Sequence, residues 1–279
     1  LSPVLYILAT ILLFLPLTPG LGVEINGARR WFVIGGISIQ PVEFYKVALI
    51  LFFSNWLSRH QRVLPLLFSI FLPCIALFLQ PDFGSLLIVI FLALSVFFVA
   101  GGSLKKILPF AGLGILLLAL AVTTSPYRLR RVKSFLDPDH DPLGASFQIR
   151  QITLALGSGG LFGQGLGNSQ QRYSFIPEAS SDSIFAIVAE EVGFLGSLLV
   201  FLAFLYYISL LHRVSLRQKN SKFQQLLVSG LWLWVAGQAL LNLTAVVVLV
   251  PLTGLTLPFF SYGGSSLVSL LFMNGIGYR

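Results

Sequence analysis

The 279 residues are 56% hydrophobic and only 10% charged, with a mean hydropathy of +0.89, which excludes an ordinary soluble domain. The formal charge is +8, but the cations are dispersed among short segments, which excludes a nucleic-acid-binding stripe. A single cysteine, Cys74, rules out an internal disulfide or a CxxC redox site, and no histidine pair has metal-ligand spacing.

Helix-length apolar stretches run over 3–18, 41–58, 64–80, 84–100, 105–124, 183–211, 225–250 and 263–278. A membrane span needs ~20 residues at 1.5 Å rise each, and open sheets are ruled out in lipid. The reading is therefore an all-α polytopic membrane protein with eight spans, in one membrane domain over 1–279. The chain opens at Leu1, inside an apolar run and without methionine, so it is read as N-terminally truncated. Successive connections alternate sides. One side receives 59–64, 101–106, 212–224 and the terminal Arg279, with nine cations and no acid. Short loops rich in Lys and Arg are cytoplasmic. The other nine cations and all ten carboxylates lie toward the outer side.

The first outer segment, 19–40, is glycine-rich and carries Glu24, Arg29, Arg30 and Trp31. In the next span Glu43 and Lys46 are three apart on one helix face. They form a structural ion pair, or Lys46 faces an anionic ligand with Glu43 orienting it. Gln80-Pro81-Asp82-Phe83-Gly84 is a tight connection in which Asp82 reads as a helix cap.

The segment 125–182, between the fifth and sixth spans, is by far the longest connection. Loops beyond about 12–15 residues in a compact protein are usually functional or disordered, and this one is too apolar for a linker. Its pattern predicts a helix over 146–156 at or in the membrane surface, with Gln148, Arg150 and Gln151 between apolar residues. The glycine run 157–167 has no following Lys-Ser or Lys-Thr and is no P-loop; its glycines allow tight turns and close backbone approach.

Asp182 immediately precedes the long apolar span 183–211, at or near its N-cap. Aspartate there is a favoured cap. Glu178 precedes it by four residues and Glu190 and Glu191 follow about two turns later, so several carboxylates share one region. Crowded carboxylates in a low dielectric hold protons more readily, which suits general-base work. Arginines are abundant on the same side, either as lipid-headgroup contacts and a solvated rim or as a clamp on diphosphate, which their planar donor fork suits.

At these residues the chain resembles the SEDS family, the FtsW/RodA/SpoVE peptidoglycan polymerases. The matching stretches are Gly27-Ala28-Arg29-Arg30-Trp31, Gln40-Pro41-Val42-Glu43-Phe44-Tyr45-Lys46 and Gln80-Pro81-Asp82-Phe83-Gly84. The long loop matches through Pro126-Tyr127-Arg128, Gly165-Leu166-Gly167-Asn168-Ser169 and Pro177-Glu178-Ala179, and the last outer connection through Gly254-Leu255-Thr256-Leu257-Pro258 and Ser261-Tyr262-Gly263-Gly264-Ser265-Ser266. The loop stretches resemble the division branch, FtsW, more than RodA. Ser180-Ser181 stands where the family has His-Thr, and Ser183 where it has Phe.

The resemblance implies a ten-helix bundle, of which eight helices are present here. It also implies an inverting glycosyltransferase that polymerises lipid II at the outer face of the bacterial inner membrane during cell division. The family's loop aspartate falls on Asp182, the expected catalytic base. Expected substrate contacts are Arg29, Arg30, Glu43, Lys46, Arg128, Arg131, Gln151, Glu178, Glu190, Glu191 and Ser261. No metal site is assigned; a divalent cation, Mg2+ or Mn2+, is an optional assistant. The implied partners are lipid II, a class B penicillin-binding protein transpeptidase, other divisome proteins and membrane lipid, at the septum. Two rival functions are a lipid II flippase, with Glu43, Lys46, Glu190 and Glu191 along its path, and a non-catalytic scaffold for the transpeptidase.

Overall fold

The computed structural model describes residues 1–25, 28–108, 110, 112, 114, 123, 129, 133–137, 146–169, 181–218 and 220–277. Among them the helices are α1 (Ser2–Leu12), α2 (Pro41–Leu57), α3 (Val63–Leu79), α4 (Phe83–Val99), α5 (Phe147–Ser158), α6 (Ile184–Arg217), α7 (Lys222–Val246) and α8 (Gly264–Gly277). Strands β1 (Gly22–Ile25), β2 (Ala28–Ile34) and β3 (Ile37–Ile39) lie between α1 and α2. The helices coincide closely with six of the expected spans. The span expected at 3–18 is α1 followed by a 3-10 turn at Leu15–Leu17, and most of 105–124 lies outside the described residues. Helices α6 and α7 are long and apolar enough to cross a membrane, and the most apolar stretch of α6 is only 11% buried. A helix that apolar and that exposed is stable against lipid, not water.

The chain packs as two compact units, each discontinuous in sequence. The first comprises Leu1–Leu104, Tyr207–Gln238 and Gly263–Arg279. Its outer segment departs from the sequence reading. The glycine-rich stretch that breaks the apolar pattern carries a three-stranded antiparallel sheet in the order β1-β2-β3. The reason is local. Trp31, Phe32, Val33 and Ile34 favour a strand, and Gly35 and Gly36 take φ of 57° and 81°, the pair of positive values that closes a two-residue hairpin with Ile34 opposite Ile37.

Helix α2 is the hub of this unit and packs on α1, α4 and α8. It starts at Pro41, whose fixed φ suits a first helical position, and its Tyr45, Leu49, Ile50, Phe53 and Leu57 are fully enclosed. Helix α7 lies close against its neighbours because it is glycine there: a Cβ on Gly230 or Gly237 would sit 2.4 Å from Ile50 or Phe91. In α3, Pro73 has no N–H to return to the Ser69 carbonyl. The Tyr6 hydroxyl of α1 donates to that carbonyl at 3.0 Å, and the Tyr45 hydroxyl of α2 lies 2.8 Å from Tyr6.

The second unit comprises Lys105–Tyr206 and Ala239–Tyr262. Helix α5 confirms the helix expected at 146–156, tucked in rather than resting on a surface. Ile149, Ile152 and Ala155 are buried and one turn apart, while Leu154 is exposed. Helix α6 is broken at Gly193, whose φ of 68° and ψ of −168° only glycine adopts readily. The glycine run fills the break. Gln164 and Gly165 donate to the carbonyls of Glu190 and Glu191, each at 3.0 Å. Phe194 and Leu195 donate to the carbonyls of Gly160 and Leu161 at 2.9 and 3.2 Å. Backbone groups freed inside an apolar region must find such partners. A Cβ on Gly159, Gly163 or Gly193 would lie 2.1, 2.2 or 2.3 Å from opposing main-chain atoms.

Candidate active site

In the first unit, Glu43 and Lys46 form the ion pair their spacing allows. The Lys46 Nζ donates at 2.8 Å to Glu43 Oε1 and at 2.8 Å to Gln238 Oε1, and lies 4.7 Å from the Trp234 ring centre. Lys46 is 0% exposed and Glu43 3%. The ammonium is enclosed and its donors are directed to protein, so of the two readings the structure favours the structural pair over the diphosphate clamp. Removing one member of such a pair leaves the other charged and buried. Lys46→Met is therefore expected to destabilise the protein by about 3 kcal/mol. Adding Glu43→Gln to Lys46→Met should recover most of that loss, as read from detergent melting curves.

Arg30 is likewise consumed. It is 8% exposed, donates to the Pro81 carbonyl at 2.5 Å and lies 3.9 Å from Asp82. Asp82 caps α4 by accepting the Ser85 amide at 3.2 Å, as its position implied. Arg29 differs: it is half-exposed and pairs with Glu24 at 3.2 Å across the β1–β2 ladder. Of the cations expected to hold a diphosphate, Arg29 alone among the described ones keeps an exposed guanidinium. Arg128 and Arg131 lie outside the described residues.

In the second unit, Asp182 sits just before α6 and is half-buried. The Ser183 hydroxyl donates to its Oδ1 at 3.3 Å, and Gln148 of α5 donates to Ser183 Oγ at 3.3 Å. Ser183 is fully buried, so this line of donors reaches the carboxylate from inside the fold. The main chain of Asp182 is held separately: Asn242 Nδ2 donates to its carbonyl at 2.8 Å and to the Leu255 carbonyl at 2.7 Å. A carboxylate carried on a braced backbone and still partly open is suited to receive a proton from a substrate hydroxyl.

The other acids are placed differently. Glu190 is buried and accepts the Ser169 hydroxyl at 2.5 Å, which ties the end of the glycine run to α6. Glu191 is half-buried with an unpartnered Oε1. Glu178 lies outside the described residues. Gln151 is half-buried on α5. The Ser261 oxygen accepts the Leu257 amide at 2.7 Å and closes the turn before it. Among the described residues no group of three His, Cys, Asp or Glu side chains is placed to hold a metal ion. Sequence reasoning missed Gln148, Gln238 and Asn242. The signal was present for the last two, which are polar residues deep in an apolar span.

The FtsW/RodA/SpoVE family model, described as "Cell cycle protein", matches residues 1–279. Stage V sporulation protein E of Bacillus subtilis is 38% identical over 99% of this chain and 77% of its own length. The probable peptidoglycan glycosyltransferase FtsW of Nitrosococcus halophilus is 39% identical over 95% of this chain and 71% of its own. Among solved structures, a chain of a peptidoglycan synthase complex that coordinates polymerization and crosslinking superposes with a TM-score of 0.74 and 31% identity, covering 99% of this chain and 79% of that one. The rod shape determining protein RodA of Thermus thermophilus superposes with a TM-score of 0.68 and 30% identity, covering 99% and 75%.

Proposed function

The chain belongs to the FtsW/RodA/SpoVE family, and from that membership we propose that it is a cell-division peptidoglycan glycosyltransferase with Asp182 as its catalytic base. Relatives matched over 95% and 89% of this chain, and 71% and 67% of their own length, are named for this transferase. The substrate in this reading is lipid II. The 4-hydroxyl of the acceptor sugar attacks the anomeric carbon of the donor. The bond from that carbon to the undecaprenyl diphosphate breaks, and the hydroxyl proton passes to the Asp182 carboxylate. One base is enough for a direct displacement with inversion, whereas paired carboxylates belong to hydrolysis. Arg128 and Arg131 are assigned to the departing diphosphate, where a guanidinium fork stabilises developing charge.

The observation that carries this reading is the bracing of Asp182: its half-buried carboxylate accepts the Ser183 hydroxyl at 3.3 Å, and its main-chain carbonyl accepts the Asn242 side-chain amide at 2.8 Å. A class B penicillin-binding protein is the proposed partner, supported by the likeness to a chain from a synthase complex that couples polymerization to crosslinking. The proposed site of action is the outer face of the inner membrane at the division septum, together with other divisome proteins. The test is direct. Purified protein with its transpeptidase partner and fluorescent lipid II should give a glycan ladder on a gel. A wild-type preparation that yields none under conditions where a related FtsW polymerises would overturn the reading.

A further inference from the structure

We infer that Asn242 is a positioning residue for Asp182, and that it sets the distance between that aspartate and the outer segment 255–261. The inference rests on the reading of Asp182 as the base.

Asn242 is 2% exposed and sits on α7, a helix whose other residues nearby are almost all apolar. Burying an amide there is costly unless its hydrogens are matched. Both are matched, and both go to main-chain carbonyls far away in sequence: Asp182, 60 residues off, and Leu255, 13 residues off. Because both partners are carbonyl oxygens, the amide nitrogen must face them, which fixes the side chain's orientation. Its oxygen is left buried and unpartnered, so the side chain is there to donate.

Those two bonds cross-brace two pieces of irregular backbone. At the start of α6 the Ala186 amide bonds the Ser183 carbonyl, so Asp182 lies outside that first turn and Asn242 anchors its peptide. At the other end, Leu255 and Leu257 are buried, and the Leu257 amide is taken by Ser261. The amide therefore works as a spacer between the aspartate and the turn ending at Ser261. Misplacing a reacting group by 1 Å costs on the order of 10²-fold in rate.

The test compares lipid II polymerisation rates over a substrate series for wild type, Asn242→Leu, Asn242→Ser and Asp182→Asn. Leu donates nothing and Ser has one hydrogen for two carbonyls. A lowered kcat with KM within twofold of wild type is expected for both: at least tenfold for Leu and less for Ser. A kcat within twofold of wild type for both variants, or a loss confined to KM, would overturn the inference. Should the Leu protein lack the wild-type melting transition, the Ser protein decides by the same split. The Asp182→Asn arm separates the two claims. If it stays active, the base assignment falls and takes the positioning role with it. If it is inactive while the Asn242 variants keep wild-type kcat, only the positioning role falls.

Discussion

Asp182→Asn is expected to lower the turnover of lipid II into glycan by roughly 10²–10⁴-fold, the usual contribution of a positioned general base, with no change in melting temperature. Asparagine is chosen because it separates two roles. Aspartate and asparagine cap helices about equally well, and the side chains have nearly the same shape. A residue kept only to start α6 would tolerate the change. A proton acceptor would not, because the amide oxygen is far too weakly basic. The backbone brace from Asn242 is untouched by the swap, and the asparagine amide oxygen still accepts the Ser183 hydroxyl. Glycan ladders made by equal amounts of wild-type and variant protein, with melting curves of both, provide the measurement. Activity at the wild-type level would remove Asp182 from catalysis.

Gly193→Ala is expected to cost about 5 kcal/mol and to deprive the protein of a stable fold in detergent. Two effects combine. A φ of 68° with a ψ of −168° strains any residue that has a Cβ. That Cβ would also lie 2.3 Å from the Gly163 amide nitrogen and 2.7 Å from the Leu161 carbonyl, so the glycine run would have to retreat. Retreat breaks the four main-chain bonds linking 160–165 to 190–195, each worth about 1 kcal/mol. The control is Gly160→Ala, whose added Cβ meets nothing within 4 Å; it carries only the strain of its own φ of 54°. Melting curves that rank Gly193→Ala no lower than Gly160→Ala would show that the break is not closed by this contact.

Helices α2, α3, α4, α6, α7 and α8 were legible because each is a long apolar run between polar or glycine-rich punctuation. The tight approach of the glycine run was legible too, since no other residue type tolerates it. The elements it approaches were not, because nothing local marks the carbonyls of Glu190 and Glu191 as freed. The sheet at 22–39 was obscured by glycines that read as loop, although Gly35-Gly36 between Trp31–Ile34 and Ile37–Ile39 is a hairpin pattern. The cations were the hardest. Arg29 and Arg30 are adjacent, yet one is half-exposed and the other is enclosed against Pro81 and Asp82. Lys46 meets Gln238 across 192 positions of sequence, a pairing that spacing cannot reveal. Asp182 stood out from its neighbours and its family motif, but Asn242 answers it from 60 residues away.

The proline in α3 has an effect that reaches two other helices. A phenol has one hydrogen, and Tyr6 directs its own to the Ser69 oxygen that Pro73 leaves bare. The contact between the two phenols must then run from Tyr45 to Tyr6, giving a one-way relay from α2 through α1 to α3. Deleting either hydroxyl is not equivalent. Without the Tyr45 hydroxyl, Tyr6 still serves the carbonyl. Without the Tyr6 hydroxyl, a donor and an acceptor are both stranded in a greasy interior, so an imino acid in one span dictates which phenol another span can spare.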